Sequence, residues 1–482
     1  MSFQNHHTKI YDVIVIGAGP AGIAAATNLS QLGCKTLIVD NNEECGGQVY
    51  RAPPDTFKEI KKNNSEEIKI QKKFSLLLEN SKVEKAFCHT VWQVSPGFRI
   101  DAYNKNHIVT WYAKKIVIAT GTYERVIPFE GWTLPGVIGL AASTILLKSH
   151  RVLPGSSTVV AGCGPLLAVV AVNIIKAGGK VEAIIDLNNK LDWIKILPSL
   201  LLNFTAFRQS ISWLLKILFA RVPIYFGCHI KKVSKKNNFL EVEFSKISKE
   251  GIFKNSKKNK IITDCLVVGH GLIPSTEITK LMKSKHEYNH KRGGWIASIN
   301  SFFESSIKGL YIIGDGSGIS GAIPAFQKGL LSSFHLAYEC SLISKKNFQI
   351  KSKTIINKLN YLEKFGKKVA ELMNPPLAIT NSIQADTIIC RCEDINKEQI
   401  EDAIKLGATN INQLKSWTRC GMGPCQGKIC QDTIIRIMYS HIKNLDQIGY
   451  WTGRAPIKPI PLDVIVGDYN YEDITKIEPA PI

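Results

Sequence analysis

Residues 11–22 read YDVIVIGAGPAG, and this stretch decides the fold of the first part of the chain. Its continuous apolar run is typical of a strand that is buried on both faces of a parallel sheet. Gly17, Gly19 and Gly22 follow in a GxGxxG spacing, and a helical segment comes next. A second apolar strand, KTLIVD, ends on Asp40, 23 residues after Gly17. Strand, glycine turn, helix, strand and acid in this order predict a dinucleotide-binding β-α-β unit.

Each part of this unit has a physical task. The first glycine allows the tight turn, the second lets the backbone approach a pyrophosphate, and the third lets helix and strand pack closely. The phosphates would lie at the helix N-terminus beside Pro20 and Ala21, where the N–H groups of the non-proline residues and the helix dipole favour negative charge. Asp40 is placed to accept hydrogen bonds from ribose hydroxyl groups.

A second unit of the same kind spans residues 158–186. Gly162 and Gly164 keep the first two glycines, but Leu167 replaces the third and is expected to push the helix away from the strand. Asp186 ends the following strand and favours NAD over NADP, which needs a cation for its 2′-phosphate. Two interpretations stay open: a working NAD(H) site, or a retained fold with a degraded nucleotide site.

Two further short motifs lie in the same part of the chain: ATG at 119–121, and Gly314-Asp315 at the end of the apolar strand GLYII. Their order with the two glycine units resembles the glutathione-reductase-like FAD/NAD(P) flavoprotein superfamily over about residues 10–340. The resemblance implies an α/β fold with two dinucleotide-binding (Rossmann) domains. It also implies that FAD lies on Gly17, Gly19, Pro20, Ala21, Gly22, Asp40, Gly47, Gln48, Ala119, Thr120, Gly121, Gly314 and Asp315.

Two departures from that superfamily bear on the function. Disulfide reductases carry a redox cysteine pair beside the flavin, whereas the segment after Asp40 has the single Cys45, so disulfide reduction is disfavoured. The resemblance also leads us to expect an acidic residue near Gln327, where the chain has FQKG.

Five of the 12 cysteines fall between residues 390 and 430. No secretory signal pattern precedes the first strand, so a reducing, cytoplasmic location is expected, and clustered thiols there indicate metal or redox chemistry. The spacing differs from that of zinc sites and favours a four-cysteine iron–sulfur cluster. It resembles the bacterioferritin-associated-ferredoxin-like 2Fe–2S domain. The predicted ligands are Cys390, Cys392, Cys425 and Cys420, with Cys430 as the alternative to Cys420.

Two surface properties leave partner classes open. The net charge is +21, but the lysines are dispersed and no nucleic-acid-binding motif is present in the sequence, so no nucleic-acid partner is expected. The apolar stretch 196–223 is interrupted by Pro198 and by polar residues. We expect a helical excursion that faces the core, and leave open peripheral contact with the inner membrane or a partner.

Over nearly its full length the chain resembles the FAD-containing A or alpha subunits of opine oxidases and D-hydroxyproline dehydrogenases, and the B subunits of hydrogen cyanide synthases. The motifs that carry this resemblance are GGQVYR, ATGTYERVIPFEGWTLPGV, GLIPSTE, CRCE, GMGPCQGKIC and RAPIKPIPL. It implies a hetero-oligomeric amine or amino-acid dehydrogenase of the opine, hydroxyproline or glycine type. A D-amino-acid-oxidase-like subunit would be the partner, with a small third subunit and FMN at a subunit interface left open.

In that assembly this chain would relay electrons to a respiratory acceptor, and no catalytic residue for C–N oxidation is assigned within it. The rival hypotheses are a self-sufficient NAD(P)H-dependent flavin/iron–sulfur reductase and a non-catalytic subunit that holds a nucleotide. The expected organisation is a split FAD domain (1–125 and 271–343) around an NAD(P)-binding-like domain (126–270). A helical spacer (344–385), the 2Fe–2S domain (386–442) and an extended tail (443–482) follow.

Overall fold

The computed structural model describes residues 9–466 except 52, 54–65, 106 and 255–258. The first domain begins with β1 (Ile10–Ile16), α1 (Pro20–Gln31), β2 (Thr36–Val39), α2 (Glu66–Glu79), β3 (Glu84–Ala86), β4 (Thr90–Ser95), β5 (Arg99–Asn104), β6 (His107–Ile118) and β7 (Thr122–Glu124). Its main sheet has seven strands in the order β3-β2-β1-β6-β5-β4, with the later strand β19 (Leu310–Ile312) paired to β6.

The strand β1 lies inside this sheet, between β2 and β6, because its buried residues are apolar. Ile14 pairs in parallel with Leu37 on one side and with Ile116 on the other. Helix α1 covers one face, where Ile23 and Leu29 are fully buried. The residues of β1 belong to two apolar cores, one on each face of the sheet, which confirms the predicted strand buried on both faces. The carboxyl ends of β1, β2 and β6 lie at one edge of the sheet.

The second domain comprises β8 (Val137–Gly139), α3 (Leu140–Ile145), β9 (Ser157–Gly162), α4 (Leu166–Lys176), β10 (Lys180–Asp186), α5 (Lys190–Ile194), α6 (Leu197–Leu202), α7 (Phe204–Phe219), β11 (Ile224–Phe226), β12 (Cys228–Lys236), β13 (Phe239–Lys246), β14 (Asn259–Thr263) and β15 (Cys265–Gly269). Five of these strands form a parallel sheet in the order β11-β10-β9-β15-β8. A three-stranded antiparallel sheet, β12-β13-β14, lies beside it.

The chain then returns to the first domain. The returning elements are β16 (Leu272–Pro274), α8 (Glu277–Leu281), β17 (His286–Asn289), β18 (Gly294–Ala297), β19 and α9 (Ala322–Glu339). Strand β19 adds to β6 in parallel, and α9 packs against α1. The carboxyl end of β19 therefore joins the same sheet edge as β1 and β6.

The C-terminal region is helical. It comprises α10 (Lys345–Leu372), a short hairpin of β20 (Ile388–Cys390) and β21 (Ile395–Asn396), α11 (Lys397–Lys405), α12 (Ile411–Thr418), α13 (Gln431–Ile442), α14 (Leu445–Ile448) and α15 (Leu462–Val466). Three of its cysteines belong to one apolar core together with Ile400, Leu414 and Ile434. The extended tail is described only to residue 466, and the boundaries predicted between the domains stay predictions.

No described helix is both long and apolar enough to cross a bilayer. We expected the helical segment after β10 to face the core, and only one side of it does. Trp213 and Ile217 of α7 pack into the domain core, whereas Leu214, Leu218 and Phe219 are exposed. The difference arises because α7 carries apolar residues on two faces and the domain covers one.

Candidate functional site

A cleft opens at the shared edge of β1, β2, β6 and β19. Its volume is about 320 Å³, near the lower bound of the roughly 300–1,000 Å³ typical of ligand sites. Twelve of the thirteen residues expected to bind FAD line it. The exception, Gly22, lies in the first turn of α1. The twelve are Gly17, Gly19, Pro20, Ala21, Asp40, Gly47, Gln48, Ala119, Thr120, Gly121, Gly314 and Asp315.

Backbone atoms approach so closely in the glycine turn that no side chain fits there. Gly17 has φ +108°, and a Cβ atom at this position would lie 2.4 Å from the carbonyl oxygen of Ala119. A Cβ atom on Gly22 would lie 1.8 Å from the carbonyl oxygen of Gly17, so α1 packs directly against the end of β1. The N-cap of α1 is Gly19, which supplies no side-chain cap. Free backbone N–H groups at a helix start suit a phosphate.

Asp40 stands at the rim of this cleft. Its Oδ2 accepts a hydrogen bond of 2.6 Å from the Ala18 N–H, and its Oδ1 accepts bonds from the N–H and side chain of Asn42. The carboxylate is half-buried and lines the cleft. The uncapped helix start, the bare glycine backbone and the accessible acid fit the pyrophosphate and ribose of a dinucleotide.

Asp315 lies across the cleft, in a turn that a buried lysine holds. Its Oδ1 accepts bonds from the N–H groups of Ser320 and Gly321. Lys328, fully buried, donates to the carbonyl oxygens of Gly314 and Gly318. Its ammonium group also pairs with Glu363 of α10 at 3.2 Å. The acidic residue expected near Gln327 is thus absent from FQKG itself, and a carboxylate reaches this place from a different helix.

Cys45 does not supply a redox thiol beside the cleft. It is buried in the first domain core, 3.5 Å from the Ser75 hydroxyl. Burial raises the pKa of its thiol, which keeps it protonated near neutral pH. The interpretation of Cys45 as an ordinary thiol agrees with this environment.

The acid at the second glycine turn is less accessible to a ligand than the acid at the first. Asp186 is 2% exposed, and its oxygens accept bonds from Asn188 and from the indole N–H of Trp193 at 2.8 Å. Burial raises the pKa of this carboxyl group to about 6. Asp186 is therefore covered by protein where Asp40 is open to its cleft.

Protein also lies against the glycines of this second turn. A Cβ atom on Gly164 would be 2.7 Å from the side chain of Met373 and 3.3 Å from the carbonyl oxygen of Leu372. Asn188 donates to the same Leu372 carbonyl at 3.0 Å. Leu167 is buried in the domain core, where packing accommodates the lost third glycine. The strand, turn, helix and acid are retained, and the C-terminal end of α10 sits beside them.

The C-terminal cysteines form two groups. The Sγ atoms of Cys390, Cys420 and Cys430 all lie within 4.8 Å of one another, and all three side chains are buried. Cys392 and Cys425 are half-buried and interact with each other. Both candidates for the fourth ligand, Cys420 and Cys430, thus reach Cys390.

The loops around these sulfurs suit thiolates. Hydrogen bonds from the Cys420 and Cys430 thiols lower the pKa of Cys390 and raise the pKa of the two donors, so Cys390 is the first of the three to become a thiolate. The Gly421 N–H points at its Sγ from 3.5 Å. A Cβ atom on Gly423 would lie 2.2 Å from that of Cys392, so the glycine allows the two loops to meet. Thiols alone, supported by backbone N–H groups, are the donor set of an iron–sulfur cluster.

The C-terminal tail joins the cysteine loops to the cleft. The Trp451 ring packs on Gly421 and Gly427. Lys428 donates to the carbonyl oxygen of Ile457 at 2.9 Å, and the Ile457 N–H donates to the Trp92 carbonyl oxygen at 2.9 Å. Ile457 also lines the cleft. One short segment of tail therefore touches both candidate cofactor sites.

A buried charge cluster, which sequence reasoning missed, joins the same two regions. Arg125, just after β7, pairs with Asp432 of α13 at 2.9 Å. Arg436 pairs with Asp432 and donates to the carbonyl oxygens of Pro375 and Pro376. Arg125 donates to the Met373 carbonyl oxygen at 3.1 Å. Asp432 and the two arginines thus fix α13 and residues 373–376 against the first domain, which is called the flavin-type domain below.

Comparisons with known proteins agree with this geometry. Residues 11–330 match the family model described as pyridine nucleotide-disulphide oxidoreductase, and residues 388–440 match the BFD-like [2Fe-2S] binding domain. The A subunit of opine oxidase from Agrobacterium tumefaciens is 29% identical, over 94% of this chain and 91% of the relative. The HcnB subunit of hydrogen cyanide synthase from Pseudomonas aeruginosa is 27% identical, over 93% of this chain and 97% of the relative.

Among solved structures, L-proline dehydrogenase from P. horikoshii superposes with a TM-score of 0.67. The alignment covers 95% of this chain and 80% of that chain, at 18% identity, and shows a shared fold. These matches confirm the predicted α/β fold, the oxidoreductase class, and FAD and a 2Fe–2S cluster as cofactors. The chain belongs to the pyridine nucleotide-disulphide oxidoreductase family and carries a BFD-like [2Fe-2S] binding domain behind the fold of that family.

Proposed function

We propose that this chain is the FAD- and 2Fe–2S-containing subunit of a hetero-oligomeric amine or amino-acid dehydrogenase, and that it relays electrons from a partner subunit to a respiratory acceptor. The observation that carries the proposal is the tail segment 451–458, which packs on the cysteine loops and lines the flavin-type cleft. Relatives over more than nine tenths of the chain are subunits of opine oxidase and hydrogen cyanide synthase. A substrate of the opine, hydroxyproline or glycine type follows from that likeness.

The cleft residues have distinct tasks in this proposal. The N–H groups of Gly19 and Ala21 would bind the pyrophosphate, and Asp40 would orient the adenosine ribose. Asp315, fixed by the turn that Lys328 holds, faces the flavin half of the cofactor. FAD accepts two electrons together and releases them singly, whereas a 2Fe–2S cluster carries one electron at a time. Pairing the two suits a subunit that lies between a hydride donor and a one-electron acceptor.

Cys390, Cys392 and Cys425 are the proposed cluster ligands, and either Cys420 or Cys430 completes the set. Cys390 shares the buried group with both candidates, and Cys392 lies with Cys425 on the less buried side. A cluster held by these residues would have its more accessible side at Cys392 and Cys425. We propose this side as the electron exit.

The rival NAD(P)H-dependent reductase loses support from the second glycine turn. A ribose needs an accessible carboxylate, and Asp186 is buried under Trp193 and Asn188. Gly162 and Gly164 keep the turn, yet Met373 lies against Gly164. We therefore propose that the second domain is a structural retention of the fold, and that reducing equivalents enter from a partner and not from NAD(P)H.

The proposed partner is a D-amino-acid-oxidase-like subunit that performs the C–N oxidation. A small third subunit and an FMN at the subunit interface belong to the same proposal, as does a cytoplasmic location. Affinity purification of the tagged chain from its native host, followed by mass spectrometry and visible spectroscopy, tests it. Co-purification of an amine-oxidising subunit with flavin and iron supports the proposal. A preparation without flavin bands would instead indicate the non-catalytic assembly subunit.

A further inference from the structure

The region between β10 and β11 leaves a large apolar surface uncovered. Among the side chains of α5, α6 and α7 that the structure describes, nine large apolar ones are between 41% and 83% exposed. They are Leu191, Ile194, Leu197, Leu201, Ile211, Leu214, Leu215, Leu218 and Phe219. Single exposed apolar residues are ordinary, but nine of them on three successive helices indicate an interaction surface.

The spacing on α7 shows that the exposure is organised. Ile211, Leu214, Leu215 and Leu218 recur at i, i+3, i+4 and i+7 and so form one stripe along the helix. The opposite face carries Trp213 and Ile217, which pack with α4 into the domain core. The outer stripe is therefore a second apolar face, and the fold of this chain does not need it.

The charge around this surface selects among partners. Residues 187–223 contain five cations, Lys190, Lys195, Arg208, Lys216 and Arg221, and the single carboxylate Asp192, a net charge of +4. From 193 to 240 the chain has no acidic residue. Exposed leucines in a segment of net positive charge are the composition of a helix that lies in the interface of an anionic membrane.

We propose that α5–α7 form a peripheral docking surface for an anionic phospholipid bilayer, with the outer stripe of α7 inserted at the headgroup boundary and the surrounding cations on the lipid phosphates. The geometry carries this inference independently of the identity of the donor substrate. A surface-bound chain would stand beside membrane acceptors, so the inference complements the relay proposed above without resting on it.

The test is sedimentation of the purified full-length holoprotein with sucrose-loaded vesicles. Vesicles of phosphatidylglycerol and phosphatidylethanolamine are compared with phosphatidylcholine vesicles. The wild-type chain should sediment with the anionic vesicles and stay in the supernatant with the neutral ones. Added NaCl should weaken the binding, because lipid–cation attraction is screened.

The double variant Leu215→Glu/Leu218→Glu removes the apolar stripe. It should partition onto anionic vesicles about tenfold less than wild type, or weaker, because each leucine loses its apolar burial. The matched control is Leu406→Glu/Ile252→Glu, two leucine-sized side chains that are 79% and 62% exposed elsewhere. The control should bind like wild type. Flavin absorbance and circular dichroism verify that all three proteins are folded.

Three results would overturn the proposal. The first is wild-type protein that stays in the supernatant with anionic vesicles, and the second is a stripe variant that binds as well as the control. The third is self-association: light scattering that shows a wild-type dimer and a monomeric stripe variant would assign the surface to a second copy of this chain.

Discussion

The guanidinium Nε of Arg125 lies 2.9 Å from Oδ2 of Asp432, and both side chains are buried between the flavin-type domain and the helix that follows the cysteine loops. The two residues are 307 positions apart. Asp432 also pairs with Arg436 at 2.6 Å, so one carboxylate balances two arginines. Electron transfer between two cofactors requires a fixed separation, and this cluster is the rigid connection that could provide it.

Replacing Asp432 with Asn should destabilise the chain strongly, because it leaves two buried guanidinium groups without a counter-charge. Loss of one partner of a buried ion pair costs about 3–5 kcal/mol. The measurement is urea unfolding of the holoprotein, followed by flavin fluorescence and by circular dichroism. Asp402→Asn, which removes the exposed partner of Lys405, is the control and should cost no more than about 1 kcal/mol. Equal losses for the two variants would show that the buried cluster has no special role.

Asp40→Asn should weaken FAD binding by about ten- to a hundredfold, since a hydrogen bond to a charged group contributes roughly 1.5–3 kcal/mol. The fraction of flavin retained after dialysis against KBr measures this effect. Asp186→Asn is the matched variant in the second domain and should leave FAD content unchanged. If Asp186→Asn releases flavin and Asp40→Asn does not, the assignment of the two glycine units is reversed.

Serine in place of Cys390 or Cys392 should remove iron and leave FAD bound, because the thiolates lie in a core separate from the cleft. Iron analysis and visible spectroscopy measure the iron and flavin contents of one sample. Cys88→Ser, an exposed thiol of the first domain, is the control. Loss of zinc in place of iron would refute the cluster.

Separate Cys420→Ser and Cys430→Ser variants settle the fourth ligand. Both sulfurs reach Cys390, yet a four-cysteine cluster needs only one of them. We expect one variant to lose iron and the other to retain it. Full iron content in both variants would contradict a four-thiolate site in this loop.

Glu124→Gln should change how stability depends on pH. Burial raises the pKa of Glu124 to about 7 from its ordinary value of 4.5, against hydrogen bonds from the N–H groups of Ala141 and Leu140. The folded chain therefore holds this proton more tightly than the unfolded chain, and its stabilising effect is lost as pH rises from about 4.5 through 7.

Differential scanning fluorimetry between pH 5 and pH 8 measures that change. The thermal midpoint of Glu124→Gln should rise relative to wild type as pH increases, because the amide has no proton to lose. Glu287→Gln, which removes an exposed surface carboxylate, is the control. A midpoint difference that stays constant across this pH range for Glu124→Gln would show that Glu124 titrates normally.

The residues that line the cleft can be identified from the sequence because the motifs that mark them are local. Gly17, Gly22 and Asp40 lie within one β-α-β unit, and the geometry of that unit follows from sterics and spacing. The cysteine region can be identified in the same way, since thiols at this short spacing have few uses other than metal or redox chemistry.

The features that the sequence does not predict all depend on contacts between residues far apart in the chain or on how the domain packs. Nothing near Asp432 indicates that its partner is Arg125, and nothing in FQKG indicates that Lys328 pairs with Glu363 of a later helix. The burial of Asp186 depends on Trp193, which folds back from the next helix. The apolar pattern of α7 identifies an apolar helix without telling which of its two faces the domain covers.

We propose that electrons enter this chain from a partner subunit and not from NAD(P)H. Anaerobic visible spectroscopy of the complex purified from the native host tests it most directly, with amino-acid, imino-acid and opine donors added first and NADH or NADPH afterwards. We expect that one of the amine donors bleaches the flavin and iron–sulfur bands of the complex, and that NADH and NADPH bleach neither. Rapid bleaching of the isolated chain by NADH, with turnover on an artificial acceptor, would contradict it.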